Sequence, residues 1–218
     1  VIIHFAAETH VDNSKINNSN FVNTNIVGTS NLINISREFI SKNKKTSKFK
    51  FIHISTDEVF GQLLNKKKTF SETSKYNPRN PYAATKASSD FLIKAYINTY
   101  GFPAIILNCS NNFGPFQHTE KLIPKIVKNT ILNKKIPIYG KGMNIRDWVY
   151  VEDFCEAIFK IMLKGKVGET FNVGANNEIS NLELAKMIIQ KIGKKTNVKI
   201  KPSSRIKFVK DRPGHDFR

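Results

Sequence analysis

Short apolar runs alternate with longer amphipathic stretches over much of this chain. The runs that predict buried strands are residues 1–5, 49–55, 104–108 and 169–173. Between them, apolar residues recur with a helical period over 20–42 and from 81 to a stop at Gly101. Strands that alternate with helices indicate an α/β fold built on a Rossmann-like parallel sheet with helices on both faces.

The pattern changes after Pro115 to shorter elements, which predict a smaller α/β portion. We expect helices over 121–133, from an Asp153 N-cap to Leu163, and from a Ser180–Glu183 capping box to Ile192, and strands at 136–139, 145–151 and 206–209. The predicted domains are therefore 1–114, with 169–174 returning to its sheet, and 115–218. A long polar connection over 62–80 carries no clear period.

Composition narrows the possible classes of protein. A hydrophobic content of 40% indicates a globular chain, and no run reaches the ~18 apolar residues of a membrane span. The net charge of +18 comes mainly from 29 lysines, which are spread along the chain. We therefore interpret the lysine runs at 42–45 and 66–68 as solvated loops. We do not expect a nucleic-acid partner. Two cysteines and no visible signal peptide favour the cytoplasm.

The candidate chemistry lies at residues 52–61 and 80–86. The first stretch is a buried strand that ends in Ser55, Thr56, Asp57 and Glu58, where parallel sheets bind ligands. In the second, Asn80 and Pro81 predict a helix start, which puts Tyr82 and Lys86 on one helical face. A phenol beside an ammonium and two carboxylates suits proton transfer, although a Tyr–Lys pair at this spacing also occurs on ordinary surface helices.

These blocks together resemble the dTDP-glucose 4,6-dehydratase family of the extended short-chain dehydrogenase/reductase superfamily. The resemblance rests on Tyr-x-x-x-Lys joined to Ser-Thr-Asp-Glu-Val-Phe-Gly, and further blocks follow the family's order at 4–12, 108–115, 145–148 and 211–216. Phe60 and Phe113 stand where the family usually has Tyr, and Thr9 where Ser is common.

The resemblance implies a lyase that converts dTDP-glucose to its 4-keto-6-deoxy product in three stages. Tyr82 would take the C4 hydroxyl proton, helped by the cation of Lys86 and a hydrogen bond from Thr56. Glu58 would then remove the C5 proton while Asp57 protonates the departing C6 hydroxyl. Hydride would leave to NAD in the first stage and return to C6 in the third, so NAD would be regenerated in each turnover.

The resemblance also implies binding residues in both portions of the chain. NAD contacts are expected at Phe5, Ala6, Ala7, Thr9, Thr24, Ser55, Tyr82, Lys86 and Asn112. Substrate contacts are expected at Thr9, Thr56, Asn111, Lys121, Leu122, Pro137, Tyr139, Arg146, Asn181, Asp211, Arg212 and His215. No residues have metal-ligand spacing, so no metal site is predicted.

Three alternatives stay open at this stage. A related nucleotide-sugar epimerase or decarboxylase would share Tyr82 and Lys86 without needing Asp57 and Glu58. No glycine-rich turn opens the chain, so we expect the first strands and a tail after Arg218 to be missing, and a non-catalytic fragment is the second alternative. A basic nucleic-acid binder is the third, and for it we expect only weak, unspecific binding. No single residue decides between a thymidine and a uridine nucleotide. By family likeness we expect a homodimer through the helices at 20–42 and 81–100.

Overall fold

The computed structural model describes residues 1–43, 48–65 and 68–218, and these form two compact units. Unit 1 comprises Val1–Ser110 and Cys155–Val173, and unit 2 comprises Asn111–Phe154 and Gly174–Arg218. Lys44, Lys45, Lys66 and Lys67, which belong to the predicted solvated loops, lie outside the described residues.

Unit 1 is built on a four-stranded parallel sheet. Its strands, in the order β1-β2-β3-β7, are β1 (Ile2–His4), β2 (Phe51–Thr56), β3 (Ala104–Cys109) and β7 (Thr170–Val173). All six residues of β2 are buried, as expected of a strand that is covered on both faces, and His53, Ser55 and Thr56 are polar residues among them. Because the strands are parallel, the segments that follow them emerge at one edge of the sheet.

Helices cover both faces of this sheet. They are α1 (Val11–Ile16), α2 (Ser19–Phe21), α3 (Gly28–Lys42), α4 (Pro81–Tyr100) and α6 (Val151–Lys164), of which the part from Cys155 belongs to unit 1. Ile106 packs with Ile33 of α3 and Ile93 of α4. Its neighbour Ile105 points to the opposite face, where it lies close to Gly165 just beyond α6. The predicted Rossmann-like α/β architecture is confirmed.

The predicted helix over 20–42 contains an irregularity. Residues Val22–Val27 form a π-helical segment between α2 and α3. Insertions of this kind are rare and often occur at functional sites. Here the segment carries the buried Asn25, whose contacts are described below.

The helix after the polar connection begins and ends as its sequence predicts. The Asn80 side chain accepts a hydrogen bond from the Ala83 amide, and Pro81 occupies the first helical turn. At the other end Gly101 adopts a left-handed conformation and its amide donates to the Ile97 carbonyl. These two ends fix which residues of α4 face the sheet.

Unit 2 contains two small sheets with helices beside them. Its elements are β4 (Asn111–Phe113), α5 (Leu122–Ile131), β5 (Ile136–Tyr139), β6 (Ile145–Tyr150), β8 (Glu178–Ser180), α7 (Asn181–Lys195), α8 (Pro202–Arg205) and β9 (Ile206–Val209). β6 pairs with β4 in parallel and with β8 antiparallel, and β5 pairs with β9 in parallel. Ile126, Ile138 and Ile189 pack in a core between α5, α7 and β5.

One predicted helix start is wrong. Asp153 was expected to cap α6, but the helix already begins at Val151 and Asp153 lies inside its first turn. A carboxylate there interacts favourably with the positive end of the helix dipole without capping the helix, so an acid in the first turn and an acid at the cap look alike in the sequence.

Among the described residues, no helix is both long enough and apolar enough to cross a membrane.

Candidate active site

The acidic stretch after β2 forms a short 3-10 helix over Asp57–Phe60 at the carboxyl edge of the sheet. The Thr56 hydroxyl caps it by accepting a hydrogen bond from the Glu58 amide at 3.3 Å. Gly61 then turns the chain with a φ of +83°, and a Cβ at this position would collide with the Asn77 carbonyl. Val59 and Phe60 are buried behind the turn, so Asp57 and Glu58 are held at the edge rather than in a solvated loop.

Glu58 is oriented by the residue that caps α4. The Asn80 amide nitrogen donates to Glu58 Oε2 at 2.8 Å, while its carbonyl oxygen accepts from the Ala83 amide at 2.8 Å. Asn80 is itself buried. One side chain therefore fixes both the start of the helix that carries Tyr82 and the direction of the carboxylate.

Tyr82 is brought together with Thr56, Asp57 and Glu58. Burial raises the pKa of the Tyr82 phenol well above its usual value, the charge of Glu58 adds to this, and a hydrogen bond with Thr56 opposes it. Burial and the two carboxylates thus favour the protonated phenol. That Lys86 favours the phenolate stays a prediction.

Lys86 lies one turn further along α4 and is buried, with only 3% of its surface exposed. Its ammonium donates to the Ile54 carbonyl at 2.8 Å. Burial lowers the pKa of Lys86, whereas the negative charge of Asp90 raises it. The surface-pair interpretation of Tyr82 and Lys86 is therefore excluded, because both side chains face the sheet.

The loop after β1 has the features of a cofactor contact. Phe5 and Ala6 are exposed and Ala7 is half-buried. Because the two alanines have small side chains, the backbone of this loop is open to a ligand. Asn25 of the π-helical segment pins the loop, since its side chain accepts from the Glu8 amide at 2.8 Å and donates to the Glu8 carbonyl at 3.1 Å. Thr9 is exposed and Thr24 partly so. These residues fit one side of a bound dinucleotide.

In unit 2, several predicted substrate residues gather around Tyr139. The Arg212 guanidinium lies 5.7 Å from the centre of its ring, and the His215 ring meets it edge-on at 6.1 Å. His215 Nδ1 is 2.7 Å from Asp211 Oδ1. Burial lowers the pKa of His215 to about 4, with the charges of Arg212 and Arg146 acting in the same direction and Asp211 against it. The cluster is positively charged, which suits an anionic ligand.

The other predicted residues occupy separate positions. Pro137 lies on the same exposed side of β5 as Tyr139, while Leu122 packs against the core of unit 2. Asn111 and Asn112 form most of β4, Lys121 precedes α5, and Asn181 begins α7. The hydroxyl of Ser55, a residue predicted to contact NAD, donates to the buried carboxylate of Asp90 at 2.7 Å.

Four polar residues at the site were not predicted as site residues. Asn80 was expected only to cap a helix, and Asn25, His53 and Asp90 were not singled out. The available signal was their placement, because a polar residue on an otherwise apolar face is a candidate for a buried contact.

Comparison with known proteins agrees with this geometry. The family model described as GDP-mannose 4,6 dehydratase matches residues 1–218. The dTDP-glucose 4,6-dehydratases of Haemophilus influenzae and Neisseria meningitidis serogroup B are 46% and 45% identical to the chain, covering 100% of it and 66% and 63% of their own lengths.

A solved structure is also similar over the whole chain. The dTDP-glucose 4,6-dehydratase of Streptomyces venezuelae, solved with NAD bound, gives a TM-score of 0.89 at 38% identity and covers 100% of this chain and 62% of that one. The chain thus spans a little under two thirds of the length of these relatives.

Proposed function

Because the chain belongs to the family described as GDP-mannose 4,6 dehydratase, we propose that it carries the catalytic residues of an NAD-dependent nucleotide-sugar 4,6-dehydratase acting on dTDP-glucose. The observation that carries this proposal is the convergence of a buried phenol, a threonine hydroxyl and two carboxylates at one edge of a parallel sheet. An epimerase needs the phenol but not the two acids. The Asp57–Glu58 pair therefore favours dehydration.

Tyr82 is the base for oxidation at C4. Burial raises the pKa of its phenol, so Tyr82 needs neighbouring positive charge and the Thr56 hydrogen bond to lose its proton before it can act as a base. Lys86 supplies a fixed ammonium on the same helix. When NAD is bound at the loop after β1, it would accept the hydride from C4 and later return it to C6.

Glu58 and Asp57 divide the elimination of water between them. Asn80 holds Glu58 at a fixed angle, which suits a base that removes the C5 proton. Asp57 accepts a hydrogen bond from the Thr56 hydroxyl at 3.3 Å and would protonate the C6 oxygen as it leaves. Neighbouring carboxylates can take opposite roles when their environments differ, and these two have different partners.

A full turnover leaves the protons unbalanced between two residues. Tyr82 gains the proton of the C4 hydroxyl and Asp57 loses one to the departing water, while the proton at C5 is removed and replaced. Thr56 is hydrogen-bonded to both side chains. Its hydroxyl can therefore pass the proton from Tyr82 back to Asp57 and restore the starting state.

We assign the nucleotide diphosphate to the positive cluster of unit 2. Arg146 and Arg212 offer guanidinium groups that match phosphate oxygens, and Tyr139 offers an exposed ring for a base or sugar.

Both Cys109 and Cys155 are free thiols, which fits an enzyme of the reducing cytoplasm. The described residues include no group of three or more acidic, histidine or cysteine side chains placed to hold a metal.

The proposal is tested by incubating the intact protein with NAD and dTDP-glucose. NMR of the product should show the C6 hydroxymethyl group replaced by a methyl group and, in deuterated water, deuterium at C5. Recovery of dTDP-galactose would instead identify an epimerase. Recovery of unchanged substrate from a folded, NAD-containing protein would contradict the proposed activity.

A further inference from the structure

A group of buried charged and polar side chains lies behind Lys86, on the side of α4 that faces β2. His53 and Asp90 are 0% exposed, and His53 Nε2 lies 3.5 Å from Lys86 Nζ and 3.3 Å from Asp90 Oδ1. His53 therefore stands between an ammonium and a carboxylate. The proposed reaction assigns no step to either His53 or Asp90.

A buried charge needs compensation if it is to persist in a folded protein. Lys86 has lost almost all contact with water, and the Ile54 carbonyl offers it a dipole but no charge. Asp90 supplies the missing negative charge one helical turn away. Burial and the charge of Lys86 lower the pKa of His53, so the imidazole between them is neutral.

We propose that His53 and Asp90 are a positioning pair for Lys86, in which Asp90 is the counter-charge that keeps the buried ammonium protonated and His53, whose Nε2 lies within 3.5 Å of both groups, holds them apart at a fixed spacing. The inference rests on the proposed function, because it concerns the cation that assists Tyr82. His53 and Asp90 do not touch the reacting atoms. They act only through Lys86.

The carboxylate is built into the fold from several elements. Ser55 of β2 donates to Asp90 Oδ2 at 2.7 Å, and Tyr76 from the polar connection donates to the same oxygen at 3.0 Å. Two hydrogen bonds from different elements thus fix Asp90 Oδ2, and His53 Nε2 lies 3.3 Å from the other carboxylate oxygen.

Other titratable groups also face this cluster. The rings of His4 of β1 and His53 are tilted against each other with centres 5.2 Å apart, and the Cys109 thiol of β3 donates to the Ser55 carbonyl at 3.3 Å. Lys94 lies 3.5 Å from the Tyr76 hydroxyl. A change in the pH profile must therefore be compared between matched variants that leave these groups in place.

The test isolates C4 oxidation with a nucleotide sugar that lacks the C6 hydroxyl. Such a substrate cannot lose water, so reduced NAD accumulates and its rate of formation is followed by absorbance against pH. The loss of rate at high pH reports deprotonation of Lys86. We call this part of the pH profile the high-pH limb. Asp90→Asn removes the counter-charge, so we expect the pH at which the rate is lost to fall by about one unit or more.

Tyr76→Phe is the matched control. It removes one hydrogen bond from Asp90 but keeps the charge and the aromatic contacts, so the high-pH limb should stay in place. His53→Leu should move the limb in the same direction as Asp90→Asn. His53→Gln, which keeps a polar side chain between Lys86 and Asp90, should move it less.

The outcomes separate this inference from the proposed function. A wild-type protein that oxidises no nucleotide sugar would overturn the proposed function. A working wild type whose high-pH limb is unchanged by Asp90→Asn would overturn only the positioning pair. Thermal unfolding and NAD content show whether Asp90→Asn folds. If it does not, the two His53 variants decide between the outcomes. The positioning pair would be contradicted if His53→Leu and His53→Gln lost their rate at the same pH.

Discussion

At the scale of single residues, the site depends on giving neighbouring groups different partners. Asp57 accepts from Thr56 whereas Glu58 accepts from Asn80, although the two carboxylates are adjacent in the chain. The same principle applies to Tyr82 and Lys86, which face different parts of β2 from one side of α4. Roles in the reaction follow from these contacts rather than from residue type.

Asp57→Asn should separate oxidation from dehydration. The amide cannot protonate the departing C6 oxygen, whereas Tyr82 and Lys86 remain able to assist C4 oxidation. We expect formation of the 4-keto-6-deoxy product to fall by about 10²-fold or more while reduced NAD accumulates on the enzyme. Wild type should show no net accumulation. An Asp57→Asn protein that dehydrates at the wild-type rate would refute the role of Asp57.

His4 should make stability depend on pH. Burial and its charged neighbours lower the pKa of His4 from 6.5 to about 4. The unfolded chain therefore binds a proton in this window that the folded chain does not, so the contribution of His4 to stability is fully present above pH 6.5 and is lost as pH drops toward 4. We expect urea midpoints at pH 7 and pH 4.5 to differ less in His4→Gln than in wild type.

The control for that measurement is His118→Gln, which removes an imidazole that is largely exposed in the folded protein. It should leave the difference between the two midpoints close to that of wild type. An equal reduction in both variants would show that the His4 environment is not the cause.

At the scale of elements, the turn after β2 holds the acids through backbone geometry. Gly61 and Gly101 both adopt left-handed φ angles, of +83° and +61°, but only Gly61 faces a backbone atom that a Cβ would displace. Gly61→Ala should therefore cost the strain of a sparsely populated positive-φ conformation, about 1–3 kcal/mol, and, in addition, shift the Asn77 carbonyl and the 3-10 helix. Gly101→Ala should cost the strain alone.

Urea unfolding and the rate of dehydration together check this prediction. Gly61→Ala should lower the free energy of unfolding more than Gly101→Ala and should also slow catalysis, because Asp57 and Glu58 move with the turn. Equal losses of stability with unchanged catalysis in both variants would show that the Gly61 contact is unimportant.

The sequence predicts elements well where local chemistry and tertiary structure agree. Asn80 with Pro81 and Gly101 mark both ends of α4, and the apolar run of β2 marks a strand buried on both faces. Prediction fails where local signals are ambiguous. α1 is short and polar, and an N-terminal acid such as Asp153 suits a first turn as well as a cap.

The contacts of the site could be predicted less well than its elements. Tyr82 with Lys86 follows from helical spacing, because four residues place two side chains on one face. The pairing of Asn80 with Glu58, and of His53 with Asp90, joins residues 22 and 37 positions apart in the chain, so no local pattern contains it. The raised pKa of Tyr82 likewise arises from burial, which only the fold determines.

At the scale of the whole molecule, we propose that two copies pair through the helices of residues 20–42 and 81–100. α3 leaves Ile35 and Phe39 exposed at 64% and 53%, four residues apart on one face. Large apolar side chains in such an arrangement favour burial against a partner, and a second copy is the partner that a family resemblance implies.

Aspartate at both positions, Ile35→Asp with Phe39→Asp, should break this pairing because it places two charges in a desolvated interface. Light scattering after size-exclusion chromatography should give the mass of a dimer for wild type and of a monomer for the variant. Ile131→Asp is the control, since Ile131 is 66% exposed but lies on α5 of unit 2 and should leave the dimer intact. A dimer that survives the double substitution would require a different surface, whereas loss of the dimer with retained NAD content would show that these helices join two independently folded subunits.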